Sequence, residues 1–307
     1  MYLIILKNLQ NNREIVVNIH SYFLKKTITK VAEINWVDLE NDYFEQLLEY
    51  KELRGFNWGL VEQLNTEFEY LKLQLEQYLI RHQKESKLTY SEDFTKLFGE
   101  NIKEDEIVTV KIKDHYPEKI LLLSFNYTST LKKYKEDCLI LKQINTQLNY
   151  IHGKVGLQSN PLIFGFGDEY NKDYLEFENL RNNELLKHIK SFGYFKTSNY
   201  HNLIRFIDIK QFQVYIFGHS LGLSDRTMLK QIFEHKNCKS IKIFYHQNDY
   251  TEKTFDITRH FSDKGLMRKK IIPFNLSSPM PQLNKTIQSF TYYYNSIKAG
   301  YRYKPYK

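Results

Sequence analysis

From about Val108 onward the sequence alternates short apolar runs with amphipathic stretches, and this rhythm narrows the possible fold more than any other feature. Residues 120–125, 138–141, 148–151, 161–164, 214–217 and 241–245 read as strands, and 174–191, 225–236 and 251–262 read as helices. Strands separated by helix-length crossovers pair in parallel, because a tight turn can join only antiparallel neighbours. The expectation is an α/β protein with a mainly parallel sheet flanked by helices.

Ahead of this core the pattern is helical. Val61, Leu64, Phe68, Leu71, Leu75 and Leu79 recur at three- and four-residue steps, while Glu62, Glu67, Glu69 and Lys72 supply the polar face. From Asp38 to about His82 this predicts a helical layer of two antiparallel helices broken near Gly55 to Gly59. The opening run Tyr2-Leu3-Ile4-Ile5-Leu6 is ended by Lys7, too short for a signal peptide or a membrane span, and reads as a core strand. From Ser277 the chain carries Lys285, Lys298, Arg302, Lys304, Lys307 and several tyrosines without a single acid, and reads as a solvated basic tail. The expected division is 1–34 for an N-terminal strand and helix, 35–110 for the helical layer, 111–275 for the α/β core and 276–307 for the tail.

Composition limits the chemistry. The 44 Lys and Arg against 36 Asp and Glu leave a net charge of +8, which draws anions in general and specifies no partner. Cys138 and Cys238 are too few for a disulfide framework, and no C-x-x-C pair suggests zinc, so no metal is expected and a reduced, cytoplasmic setting is the simplest.

Polar residues stand where three of the apolar runs stop: Asn126 after the first, His152-Gly153 after the third, and Gly218-His219-Ser220 after the fifth. Side chains just past the carboxyl ends of parallel strands converge on one crevice, where ligands bind. Plainer roles stand beside this one. Asn126 can bond its own turn, His152 can be a packed structural histidine, and His219 can position its loop. Trp36, Asp38 and Glu40 suit a packing residue and first-turn acids facing a helix dipole. Gly218-His219-Ser220-Leu221-Gly222 also satisfies G-x-S-x-G between a strand and a helix, the setting of a serine hydrolase nucleophile. Against that reading, Leu223-Ser224-Asp225-Arg226 replace the small residues that let an elbow helix pack closely, and no upstream glycine run offers an oxyanion loop. Ser224 and Asp225 fit a helix N-cap.

The runs Phe125-Asn126-Tyr127-Thr128, Asn149-Tyr150-Ile151-His152-Gly153, Ile163-Phe164-Gly165-Phe166-Gly167-Asp168 and Gly218-His219-Ser220-Leu221 with Ser224-Asp225 follow Asn35-Trp36-Val37-Asp38-Leu39-Glu40. In order and spacing over most of residues 34–275 they resemble the bacteriophage abortive infection AbiH family, and through it, distantly, sirtuin-type NAD-binding domains. The resemblance implies a Rossmann-like core of the sirtuin or DHS type with a helical insertion near the N-terminus, and a role in phage defence. It implies NAD as substrate or ligand, with Asn126 at the nicotinamide amide or a water and His152 as general base. By the same resemblance Gly153, Gly165 and Gly167 allow close approach, Asp168 caps the following segment, and Gly218, His219 and Ser220 meet the adenosine ribose or a phosphate. Asp225 binds a ribose hydroxyl or caps its helix. The implied reaction is hydrolysis of the glycosidic bond of NAD. The implied partners are a nucleotide, with a phage component or a second copy beside it, and neither nucleic acid nor membrane is required. Two departures support a binding-only nucleotide sensor or interaction protein as the alternative. No glycine precedes Gly55, so the family's N-terminal glycine-rich turn is missing, and Thr128 stands where sirtuins place an acid.

Overall fold

A computed structural model describes residues 23–25, 27, 36–52, 55–85 and 91–282. The strand expected at residues 2–6 and the basic segment beyond Gln282 lie outside the described residues.

Two helices, α1 (Trp36–Glu49) and α2 (Trp58–Glu85), form the helical layer. A small antiparallel hairpin of β1 (Lys51–Glu52) and β2 (Gly55–Phe56) joins them at the expected break. The stripe on α2 is buried as its period requires: Val61, Leu64, Phe68 and Leu75 are all within 2% of full burial. They meet Leu39, Tyr43, Phe44 and Leu47 of α1, and this face packs on Phe164, Phe166, Tyr174, Phe177, Leu185 and Ile189. Phe44 stacks on Phe166 at 3.8 Å between centroids, and Phe68 on Phe164 at 4.9 Å, so aromatic contacts seal the layer to the core. A short helix, α3 (Glu92–Phe98), follows.

The remainder is a mixed α/β arrangement of short parallel sheets flanked by helices. β3 (Lys119–Ser124) pairs in parallel with β4 (Asn145–Tyr150), register Ser124 to Tyr150. β5 (Phe212–Phe217) pairs in parallel with β6 (Cys238–Tyr245), and β7 (Ser278–Pro279) adds to the other side of β6 through Tyr245 and Pro279. Hydrogen bonding thus divides the strands into two parallel sheets where one was expected, and β7 draws the start of the expected tail into the fold. The two sheets still share one core, in which Ile151, Leu121 and Leu123 pack with Ile216, Ile241 and Ile243. The crossovers are α4 (Thr130–Asp137) and α5 (Leu139–Gln143) between β3 and β4, then α6 (Lys172–Asn179), α7 (Lys190–Gly193) and α8 (Asn199–Ile209) before β5. α9 (Arg226–Phe233) joins β5 to β6, and α10 (Tyr250–Thr258) and α11 (Lys264–Lys270) precede β7.

Three expected elements differ. Residues 138–141 form the start of α5, not a strand, because only one side of the run is buried: Leu141 is 2% exposed and Leu139 72%. Leu162, Ile163 and Phe164 are buried, but residues 161–164 form no strand. Pro161 has no N–H to give a ladder, and the Ile163 N–H goes to the His152 carbonyl instead. The helix expected over 174–191 ends at Asn179, where Arg181 takes a φ of 52° that a helix cannot continue through.

A buried ion pair on the β5–β6 sheet fixes the long loop before β3. Lys242 Nζ donates to Glu106 at 2.6 Å and approaches Glu100 at 3.5 Å, and Gln213 donates to the second oxygen of Glu106. No helix among the described residues is long and apolar enough to cross a membrane.

Candidate functional site

Three strands from the two parallel sheets deliver three rings to one place. Phe125 follows β3, His152 follows β4 and His219 follows β5; the Phe125 ring stands edge-on to both imidazoles, 5.1 Å from His152 and 4.2 Å from His219. Convergence beyond the carboxyl ends of parallel strands is the geometry that builds ligand crevices in α/β proteins. The convergence falls one residue earlier than the motifs suggest on β3 and β5, since Asn126 and Ser220 are exposed.

His152 is 4% exposed, and its Nε2 lies 3.2 Å from Asp225 Oδ1 and 3.3 Å from the Tyr194 hydroxyl. Asp225 stands at the N-cap position of α9 but makes no side-chain capping bond. Its carboxylate turns inward instead. Oδ1 also accepts from Lys190 Nζ at 2.7 Å, and Oδ2 lies 3.6 Å from His219 Nε2. Lys190, on the first turn of α7, donates in addition to Glu40 Oε2 at 2.8 Å and to Ser224 Oγ at 3.4 Å. Glu40 comes from the helical layer, and its other oxygen accepts the Gly165 N–H at 3.1 Å. The result is one buried chain of contacts: Glu40, Lys190, Asp225, His152, Tyr194.

Burial disfavours charge on every member, and neighbours decide who keeps it. For Asp225, burial alone would raise the carboxyl, but Lys190 and then His152 overcome it and hold the group well below the usual carboxylate range. For Lys190, burial would lower the ammonium, but Asp225 and Glu40 outweigh it and hold it above the ordinary lysine value. For Glu40, desolvation raises the carboxyl above its usual range, Lys190 offsets this in part and Asp225 adds to it, while the group stays paired with the Lys190 ammonium. Burial also drives the phenols of Tyr127 and Tyr194 well above the ordinary tyrosine value, so both remain neutral.

The loop after β5 is held by imidazoles. His219 Nδ1 accepts the Leu221 N–H at 2.8 Å, so the proton of the neutral ring sits on Nε2, facing Asp225. Burial pushes this imidazole down to about 4. His260, buried at the end of α10, donates Nε2–H to the Leu221 carbonyl at 2.9 Å. Both backbone groups of Leu221 are therefore fixed, which maintains its φ of 61°, an unfavourable value for a non-glycine residue.

Gly165 and Gly167 allow backbone to approach backbone. A Cβ on Gly165, at φ 156°, would lie 2.0 Å from the His188 carbonyl oxygen, and one on Gly167 would lie 2.3 Å from that of Ser224. The segment 165–167 is thereby pressed between Glu40, Lys190 and the turn that carries Asp225. Asp168 is buried, pairs with Arg226 at 3.1 Å, and accepts the Tyr170 N–H at 3.0 Å. Gly153 closes the turn after His152 through its N–H to the Tyr150 carbonyl, and Gly218 is exposed at φ 61°.

Ser220 has no hydrogen bond to a histidine among the described residues, and the positive φ values of its loop fall on Gly218 and Leu221. A strained, base-paired nucleophile is absent from that position, which removes the support that G-x-S-x-G lent to a serine hydrolase. Among the described residues no cluster of three or more His, Cys, Asp or Glu could hold a metal ion. A surface depression lined by Glu104 and Ile107 to Lys111 shares no residue with the buried chain.

Glu40, Lys190 and Tyr194 were not expected at the site. Glu40 belongs to the Asn35–Glu40 run, where it looked like a first-turn acid. Nothing in the sequence around Lys190 or Tyr194 marks them, because their partners lie far away in the chain.

The chain matches the bacteriophage abortive infection AbiH family over residues 6–247 and belongs to that family, whose description implies a role in phage abortive infection. No curated protein and no solved structure gives a significant match.

Proposed function

We propose that this abortive infection protein binds a nucleotide over the carboxyl ends of β3, β4 and β5 and hydrolyses the glycosidic bond of NAD, in a Rossmann-like core of sirtuin type. The observation that carries the reading is the contact of His152 Nε2 with Asp225 Oδ1. An ionised carboxylate on one ring nitrogen holds the proton there and leaves Nδ1 as the base. Nδ1 has no hydrogen-bond partner among the described residues. In the proposed step, water forms a bond from its oxygen to C1′ of the nicotinamide ribose and gives a proton to Nδ1. The C1′–N bond breaks, its electron pair goes to the nicotinamide nitrogen, and the products are nicotinamide and ADP-ribose. Exposed Asn126 offers the amide contact, and exposed Gly218 and Ser220 offer close approach on the other side. Substrate of this kind is met in the cytoplasm, with a phage component or a second copy as the trigger.

A binding-only nucleotide sensor is the second reading. It is favoured by the Lys190 ammonium on Asp225, which already balances the carboxylate that a catalytic histidine would use. The test is NAD consumption by purified protein, with and without lysate of phage-infected cells, beside His152→Ala. Loss of NAD that requires His152 supports the hydrolase. Tight nucleotide binding without turnover under either condition supports the sensor.

A further inference from the structure

We infer that Glu40 of the helical layer is a positioning residue of this centre, its charge carried to His152 through Lys190 and Asp225, so that the site is complete only when α1 is docked on the core. The inference rests on the proposed reading of His152 as the working group, and it adds residues and a control point to it.

The geometry has three parts. First, Lys190 Nζ bridges two carboxylates at hydrogen-bond distance, Glu40 at 2.8 Å and Asp225 at 2.7 Å, and the Asp225 oxygen it touches is the one that faces His152. A change in the charge on Glu40 therefore alters how strongly Lys190 compensates Asp225, and hence how strongly Asp225 acts on the imidazole. Second, Glu40 is anchored from the core side. Its second oxygen takes the Gly165 N–H, and the absence of a Cβ on Gly165 and Gly167 lets that segment reach it. Third, α1 touches the turn Leu223–Asp225 directly, so displacement of the helix and loss of Glu40 are one event. A salt bridge needed only for packing requires no shared oxygen with a histidine at the mouth of three strands. The groups that bear on His152 are Asp225, Lys190 and Glu40, the neutral phenols Tyr127 and Tyr194, and the neutral imidazole of His219.

The experiment is a pH titration by NMR of the full chain with labelled histidine, the His152 signal being assigned by its loss in His152→Gln. Glu40→Gln removes a negative charge and keeps the shape, so the His152 midpoint should fall by about one pH unit. Glu40→Asp keeps the charge and should return most of that shift. A folded Glu40→Gln protein with an unchanged midpoint overturns the inference. Should Glu40→Gln fail to fold, the wild-type chain labelled at the glutamate carboxyl carbon gives the same answer, with Glu40 assigned through Glu40→Asp. Coupling is reciprocal, so the Glu40 signal should step as His152 titrates, and a smooth passage through that transition overturns the inference. Neither readout needs turnover. Coupling in a protein that consumes no NAD supports this inference and counts against the hydrolase, whereas NAD consumption without coupling overturns this inference alone.

Discussion

Glu40 and Lys190 are separated by 150 positions in the chain, yet their carboxylate and ammonium meet at 2.8 Å with both side chains at least 96% buried. One comes from the helical layer and the other from the α/β core, so this pair joins the two parts at a buried point. Lys190 then reaches Asp225 with a second donor, and Asp225 reaches His152. Desolvation makes each of these charges costly alone, and only the complete set is tolerable. The arrangement gives the protein a polar centre whose integrity depends on the seating of α1, and that dependence is what the following variants probe.

Replacing Lys190 with Met should cost about 3–5 kcal/mol, because Glu40 and Asp225 are left as two buried carboxylates with no cation between them. The double variant Lys190→Met with Glu40→Gln removes one of those orphaned charges and should recover part of the loss. Urea unfolding of the three proteins checks this. Equal stability of Lys190→Met and wild type would show that the ammonium contributes nothing net.

Gly165→Ala should destabilise the protein by about 3 kcal/mol or more, since the new Cβ would be placed 2.0 Å from a carbonyl oxygen that cannot move without shifting His188. Gly59, near the start of α2, is the control. Its nearest neighbour to an added Cβ is a side-chain oxygen at 3.7 Å, so Gly59→Ala should gain about 0.5–1 kcal/mol from the lower entropy of the unfolded chain. Thermal melts of both variants suffice.

The helical layer was legible because α2 buries one face only, and a 3.6-residue period survives in sequence over 28 residues. The strands β3, β4, β5 and β6 were legible from short apolar runs, with no end off by more than three residues. Residues 138–141 were not, because four apolar residues fit a strand and a helix turn equally, and the deciding fact is that Leu139 faces water. The site was half legible. His152 and His219 could be picked out at the ends of runs, since strand ends announce themselves, whereas Asp225 read as a helix cap or, through the family resemblance, as a ribose contact. Lys190 could not, because an interior lysine looks like a surface lysine until its two carboxylates are found at separations of 150 and 35 residues. Glu40 was visible but assigned to the helix dipole, a role that fits any acid in a first turn.

Acid sensitivity should trace in part to His188. Its Nε2–H meets the Asn65 carbonyl at 3.2 Å, its ring stands edge-on to the rings of Tyr43 and Phe68, and burial drives the imidazole down to about 4. A folded-state value below the unfolded one means the neutral form is favoured by folding, so this contribution is complete above about pH 6.5 and is lost as the pH falls toward 4. The loss accumulates at about 1.4 kcal/mol per unit, reaching roughly 3 kcal/mol. His188→Gln keeps a donor and abolishes the titration, so its stability should fall less steeply than that of wild type between pH 6.5 and 4. Urea midpoints collected across that range check the slope; parallel curves would remove His188 from the account.

The sharpest contrast lies between Ser220 and His152, which sit in neighbouring motifs and differ in everything that chemistry requires. Ser220 is exposed and has no imidazole to take its proton, whereas His152 is buried with a carboxylate on Nε2. Ser220→Ala should leave NAD consumption within about twofold and stability within about 0.5 kcal/mol, the usual range for a surface change. On the proposed hydrolysis, His152→Ala and Asp225→Asn should each lower turnover by about 100-fold or more, the first by removing the proposed base and the second by releasing the proton from Nε2. Ser224, buried under Lys190, is the further control on location: Ser224→Ala should lower turnover less than Asp225→Asn does, because it takes one 3.4 Å contact from Lys190 and none from His152. Initial rates at saturating NAD for the four variants rank these effects. A ranking with Ser220 above His152 would return the loop after β5 to the serine hydrolases and leave the buried carboxylates as scaffolding.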